Sequence, residues 1–241
     1  MARPEWAPAA PSARGPILVC AATSWEARPL ARRLGLERSG PRLFSGAVGG
    51  RSVTLLQTGL GAAQTGRCLE SLGAEIPGPD FCLALSAGLA GALDPGLSTG
   101  DIVVDLGPED RALEAAAREA AGRRGLRLRL DRIADADCVL GPEAKASLRS
   151  ATGAAAVDME GRALRCWAQG RGLASVNARV ILDEAAGAVP ACFPDPDDAW
   201  ALARGILSRP TLLPSLLVAG WRARRCLAGL AVFLEEFLPL P

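Results

Sequence analysis

Three carboxylates, Glu26, Glu160 and Asp183, stand where apolar runs end, and the chain contains no histidine. Without histidine there is no Ser-His-Asp triad, so any general acid–base work falls on carboxylates. Glu26 follows the run Ile17-Leu18-Val19-Cys20-Ala21-Ala22-Thr23, Glu160 lies in Val157-Asp158-Met159-Glu160-Gly161, and Asp183 closes a run ending in Leu182-Asp183-Glu184. Open α/β sheets bind ligands outside the carboxyl ends of their strands, and acids at such ends describe a site. Each acid also has a purely structural reading. Glu26 follows Thr23 at capping-box spacing, Glu160 just inside a helix start is favoured by the helix dipole, and Asp183 beside Glu184 is ordinary acidity at a strand end.

The elements that would position these acids can be read from periodicity. A buried strand over 17–23 leads into a helix over 27–36, with Leu30 and Leu34 on one face. Residues 44–48 and 51–57 form a hairpin about the two-residue turn Gly49-Gly50. A helix over 62–72 follows Gly59-Leu60-Gly61, then a short strand over 81–85 with a glycine-rich loop over 86–91, and a strand over 101–105. Residues 108–125 read mostly as a charged helix, 126–133 and 138–140 as extended, 143–150 as a short helix and 155–157 as the entry to a helix on which Met159, Ala163, Cys166 and Trp167 share a face. The last strand spans 175–182. Strands alternating with helices argue a sheet covered on both faces.

Four blocks in this order carry a resemblance: the opening strand with Glu26; Gly59-Leu60-Gly61-Ala62-Ala63; Leu85-Ser86-Ala87-Gly88 running on to Gly100-Asp101-Ile102-Val103-Val104; and Val157-Asp158-Met159-Glu160 followed by Asp183. Across roughly residues 17–190 the chain resembles the nucleoside phosphorylase and nucleosidase superfamily, which includes methylthioadenosine/S-adenosylhomocysteine nucleosidase and futalosine hydrolase. The resemblance implies an α/β three-layer sandwich with a central twisted mixed sheet, and cleavage of the N-ribosidic bond of a purine nucleoside. By motif match Asp183 is the acid or hydrogen-bond partner at purine N7, Glu160 binds ribose hydroxyls and Glu26 activates water. Ser86 and Gly88 match positions beside the ribose or nucleophile, Met159 an apolar floor to the ribose, and Val139 and Leu140 the positions flanking the base. Two departures stand out. No aromatic residue occupies the base-flanking positions, and Leu182 stands where the superfamily commonly has Ser or Asn before the acid.

Composition narrows the classes further. A chain of 241 residues, 49% hydrophobic, can bury a substantial core as one domain, and a net charge of +1 gives no field to draw in nucleic acid. Arginine is abundant and lysine almost absent, a bias assigned to the base composition of the coding DNA and not to a phosphate site. Seven cysteines lack a C-x-x-C pair, so no metal site is expected, and Cys20, Cys82 and Cys166 in apolar runs read as reduced core residues of a cytoplasmic protein. Gly59-Leu60-Gly61 fails as a dinucleotide fingerprint, because Gln64 stands where the third glycine belongs. No cofactor is expected. Inorganic phosphate would be a co-substrate if the reaction were phosphorolysis, but Arg28, Arg51 and Arg179 cannot be placed in an anion cradle from sequence, and Glu26 favours water over a phosphate that it would repel.

The chain divides into a Pro-rich tail over 1–16, an α/β domain over 17–210 and an amphipathic helical extension over 211–241. The extension, with the passage before it and the short 105–134 region, resembles the hopanoid-associated phosphorylase-like branch, which implies adenosylhopane as substrate and adenine as product. Methylthioadenosine/S-adenosylhomocysteine or futalosine nucleosidase activity, and a non-catalytic nucleoside- or lipid-binding relative, are the alternatives. In the extension Leu213, Leu216, Leu217, Trp221, Leu227, Leu230, Leu234 and Leu238 recur near 3.6 residues around Arg222, Arg224 and Arg225. Such a helix is either packed on the body, including as a homodimer face, or lipid-facing at the inner surface of the cell membrane.

Overall fold

The structure, a computed structural model, describes residues 15–75, 81–107, 110–187 and 213–240. The Pro-rich tail as far as residue 14, and the 188–212 passage that includes Phe193 and Arg204, lie outside the described residues.

Among the described residues ten strands form one mixed sheet. β1 (Ile17–Ala21) is buried at all five positions, as a strand covered on both faces must be, and α1 (Ser24–Arg33) follows it at once. β2 (Glu37–Arg38), β3 (Leu43–Val48) and β4 (Arg51–Gln57) form an antiparallel edge, and the expected hairpin turn is present with Gly49 at φ 56° and Gly50 at φ 83°. α2 (Ala62–Glu75) precedes β5 (Leu83–Ala92), and β6 (Ile102–Asp105) precedes α3 (Arg111–Arg124), whose first turn is capped by Asp110 accepting from the Ala112 and Leu113 amides. Short strands β7 (Leu128–Leu130), β8 (Ile133–Asp135) and β9 (Ala156–Asp158) alternate with α4 (Pro142–Thr152) and α5 (Gly161–Gln169). β10 (Ala174–Asp183) and the C-terminal helix α6 (Leu213–Phe237) complete the described chain. The strand order is β2-β3-β4-β1-β5-β10-β6-β7, with β9 pairing both β5 and β8.

Alternation along β1 separates two packed layers. Ile17, Val19 and Ala21 face a core shared with α1, α3 and α6, whereas Leu18 and Cys20 face a second core with Leu69 and Leu72 of α2 and Leu164 and Ala168 of α5. This is the three-layer α/β sandwich with a mixed central sheet. α6 supplies Leu227, Leu230, Phe233, Leu234 and Phe237 to the first core, with Phe233 and Phe237 stacked at 5.4 Å. Among the described residues no helix is long and apolar enough to cross a membrane.

Several local expectations are corrected. The 86–91 segment is not a loop: β5 continues through it to Ala92, in parallel register with β10 along its length. Residues 138–140 are not a strand. Met159 and Glu160 precede α5, so Met159 is not on the face of that helix; Gly161, Leu164 and Ala168 are its buried positions. Cys166 is exposed, not a core residue, and Cys82 is half-buried. At the end of β10, Ile181 pairs with Ala90 and Asp183 with Gly91, so Leu182 is an extra residue in the ladder, a β-bulge.

Because β1, β5 and β10 are parallel neighbours, their carboxyl ends meet at one edge, which brings Thr23, Gly91 and Asp183 to the same side of the molecule. Leu230 is fully buried between the sheet and the helices. Leu230→Ala should cost ~2–5 kcal/mol of unfolding free energy, measured by urea denaturation; a loss below ~1 kcal/mol would place α6 outside the cooperative core.

Candidate active site

The carboxyl edge opens into a cavity of about 490 Å³. Glu26, Glu160 and Asp183 line it together with Met159, Val139 and Leu140, six of the eight residues singled out by sequence, and Asp158 lies on the same wall. Ser86 and Gly88 do not line it. They form a layer beneath it, and that layer holds a buried cation.

The cation is Arg179, 1% exposed, carried on β10 between two residues that face the opposite core. Its guanidinium pairs with Asp158 at 2.5 Å and lies 3.5 Å from Glu160; it also donates to the Ser86 hydroxyl at 2.7 Å and to Asn177 Oδ1 at 3.0 Å. Gly88 is required by this crowding: a Cβ there would lie 2.4 Å from Arg179 Nη1 and 2.5 Å from Glu26 Oε1. Ser86 therefore positions Arg179, and Gly88 lets the guanidinium and the Glu26 carboxylate approach the same stretch of backbone. Arg179 is thus committed to its carboxylates. Arg51 is remote, bonded to the Gly15 carbonyl and Cys82, and only Arg28 of the three arginines considered for an anion cradle lies on the cavity wall without a place in this network.

The three acids differ in how they are compensated. Asp158 Oδ2 takes the guanidinium, the Gly161 amide at 3.0 Å and the Asn177 side-chain amide at 3.1 Å. Glu26 Oε2 accepts from the Thr23 amide at 3.1 Å and the Thr23 hydroxyl at 3.2 Å, and Oε1 from the Leu89 amide at 2.9 Å. Capping and cavity positions therefore coincide in Glu26: its carboxylate caps the start of α1, accepts from the Leu89 amide, and also lines the cavity. Glu160 is served least, by the Gly61 amide at 2.9 Å and, at 3.5 Å, by the same Arg179 Nη2 that pairs with Asp158. Burial, with Glu26 and Asp158 nearby and only partly offset by Arg179, pushes its carboxyl up to about 7. The Gly59-Leu60-Gly61 turn accordingly serves a carboxylate and not a phosphate, and the Gln64 side chain packs over Gly59.

Asp183 has a partner that the sequence reading missed. Lys145, the only lysine in the chain, projects from α4, is 2% exposed, and donates to Asp183 Oδ2, to the Glu184 carbonyl at 2.9 Å and to the Gly187 carbonyl at 3.1 Å. All three ammonium protons are engaged. Burial raises the Asp183 carboxyl above its ordinary value, and Lys145 pulls it back. Leu182 offers Asp183 no hydroxyl, and the acid's side-chain partner is instead a cation from helix α4. Scarcity of lysine was the available signal, since a chain that uses arginine elsewhere keeps one lysine, and it lies here.

The remaining wall is apolar, formed by Leu60, Leu89, Val139, Leu140, Val157, Leu182, Ala223 and Leu227. Trp25 is on the wall and is 40% exposed, and α6 passes it at Gly220, beside Val218 and Trp221, both more than half exposed. Among the described residues no cluster of three or more His, Cys, Asp or Glu is arranged to hold a metal.

No protein-family model and no curated protein sequence matches this chain. Solved structures do match in fold. A 5′-methylthioadenosine/S-adenosylhomocysteine nucleosidase of Campylobacter jejuni superposes with a TM-score of 0.70 at 17% identity, over 93% of this chain and 99% of that one. Futalosine hydrolase of Helicobacter pylori gives 0.68 at 19% identity, over 93% and 97%. A putative 5′-methylthioadenosine/S-adenosylhomocysteine nucleosidase of Borrelia burgdorferi, solved with adenine bound, gives 0.70 at 15% identity, over 93% and 100%. The chain has the fold of these nucleosidases.

Glu160 has an ordinary value of 4.5 and reaches about 7 when folded, so between those pH values the native state holds a proton that the unfolded chain has released. Its contribution to stability therefore falls as pH rises from 5 to 8, by on the order of 2–3 kcal/mol. Urea unfolding of the wild type and Glu160→Gln at both pH values should show this loss in the wild type only. An equal pH dependence in the two proteins would remove the assignment.

Proposed function

We propose that this protein is an N-ribosyl hydrolase that releases the base from a purine nucleoside carrying a large apolar group at its 5′ position, with adenosylhopane of hopanoid biosynthesis as the substrate. The observation that carries the reading is the arrangement of Glu26, Glu160 and Asp183 around one cavity whose remaining wall is apolar. The fold shared with enzymes that act on methylthioadenosine, S-adenosylhomocysteine and futalosine supports it.

In this reading the glycosidic bond breaks with its electron pair passing to the purine, and positive charge develops on the ribose. Asp183 bonds the departing base at N7. Glu160 receives the ribose hydroxyls over Met159, and its ionised form balances the developing positive charge. Glu26, on the cavity wall, takes a proton from the attacking water. Water is favoured over phosphate because Arg179 is already engaged, and a phosphate would lie among Glu26, Asp158 and Glu160. Val139 and Leu140 hold the base by apolar contact in place of stacking.

The exposed Trp25, Val218 and Trp221 beside the cavity, with Arg224 on its wall and Arg225 over the Trp221 ring, fit a substrate whose 5′ substituent leaves the cavity towards a lipid surface. Peripheral membrane contact through this part of α6 and a homodimer belong to the same reading. The second reading, a methylthioadenosine/S-adenosylhomocysteine or futalosine nucleosidase, is favoured by the neighbouring folds and needs only the soluble part of the cavity.

Base release from vesicle-borne adenosylhopane, methylthioadenosine and futalosine, followed with and without phosphate, tests these statements. Free ribosyl product without phosphate is expected, and ribose 1-phosphate formed only when phosphate is added would replace hydrolysis by phosphorolysis. Glu26→Gln should lower turnover by on the order of 10²–10⁴ if it activates water. Near-wild-type turnover in folded Glu26→Gln would remove it from the mechanism.

A further inference from the structure

Asp183 poses a difficulty as an acid. Its Oδ2 is paired with a buried ammonium, and a carboxylate in an ion pair has no proton of its own to give to a departing base. The group in direct contact with it does have one. Lys145 is nearly solvent-free, lines the same cavity, and is the single amine side chain in a chain whose other side-chain cations are arginines. The distinction is chemical: a guanidinium does not surrender a proton in a protein, whereas a buried ammonium does.

We propose that Lys145 is the proton source behind Asp183, and that the two form a relay to the leaving base. This rests on the nucleosidase reading above. As the bond between the ribose anomeric carbon and the base nitrogen breaks, its electron pair passes to the base, which takes a proton from Asp183. Asp183 takes one from Lys145 Nζ. Across the step the base gains one proton, Asp183 is a carboxylate at start and finish, and Lys145 changes from ammonium to amine. Solvent returns the proton once the base has left and the cavity is open. The two carbonyls that share the Lys145 ammonium, those of Glu184 and Gly187, hold the nitrogen at Asp183 throughout.

The charged surroundings bear on the pH dependence. Arg222 and Arg224 approach from α6, Asp158 and Glu160 from the β9–α5 corner, Glu26 and Arg28 from α1, and Glu184 adjoins the pair in sequence. Cys138, ahead of α4, also lines the cavity. This thiol shares the cavity with the pair, so a Cys138→Ser control accompanies the test.

The experiment follows base release from methylthioadenosine across pH 5–10 in the wild type, Lys145→Met and Lys145→Arg. A relay predicts that Lys145→Met lowers kcat at pH 8 by on the order of 10²-fold with little change in KM. It also predicts that the alkaline limb moves to lower pH, because Asp183 alone keeps a proton only in its carboxyl form. Lys145→Arg, which restores charge but no transferable proton, should not recover the rate. A wild-type profile in Lys145→Met, or recovery in Lys145→Arg, overturns the relay and leaves the nucleosidase reading standing. A wild type that releases no base from any of the three nucleosides removes that reading and the relay with it. Should both variants fail to fold, nitrogen-15 lysine labelling gives one side-chain signal in the protein. Its titration midpoint must fall in Asp183→Asn, and an unchanged midpoint overturns the coupling.

Discussion

A single guanidinium sealed inside the protein dictates much of what surrounds it. Arg179 is inside the sheet region, and removing an ion of this kind from water costs several kcal/mol unless partners replace the lost hydration. Asp158 supplies the closest counter-charge, and Ser86 and Asn177 accept further hydrogen bonds from the guanidinium. The consequence runs outward. Glu160 has the fewest donors, and burial, with Glu26 and Asp158 nearby and Arg179 only partly offsetting them, moves its ionisation towards neutrality. The protonation of a cavity-lining carboxylate is thus tied to how the core beneath it is packed.

The fold separates this polar network from the apolar packing that stabilises it. On β10, Val176, Ala178 and Val180 join the core under α1, α3 and α6, while Asn177 and Arg179 point the other way. α6 links the two sides: its later turns fill the core through Leu230, Phe233 and Phe237, and its earlier described turns bring Ala223, Arg224 and Leu227 to the cavity. The cavity wall and the core therefore share one helix. A ligand that engages the cavity end of α6 binds a structure already anchored through its other end, so little ordering cost remains at binding.

Patterns with short period were legible in the sequence. β1, the Gly49-Gly50 hairpin, the order of strands and helices and the meeting of three acids at one edge all follow from apolar runs, turn residues and positions at strand ends. The reading failed where glycine and burial mislead. Residues 86–91 carry glycines that suggest a loop, yet pairing with β10 keeps them extended and a side chain at Gly88 has no room. The apolar neighbours of Cys166 suggest a core position, but α5 turns it outward, because helical phase depends on where the helix begins. Lys145 was missed for a different reason. Its importance arises from a contact across 38 residues that no local pattern encodes, and its rarity was read as a property of the whole chain.

The bulge at Leu182 sets a limit on how this protein can change length. Surface connections absorb insertions and deletions because their backbone has no register to keep, but Asp183 lies one residue past an irregularity in a ladder paired on both sides for much of its length. Deleting Leu182 would remove the extra residue between Ile181 and Asp183 and so shift the Asp183 carboxylate relative to the Lys145 ammonium that it meets beside Gly91. Most single-residue deletions test a protein's stability. Here the deletion would leave a more regular strand and a different geometry between Asp183 and Lys145, so length at this point constrains the cavity as well as the fold.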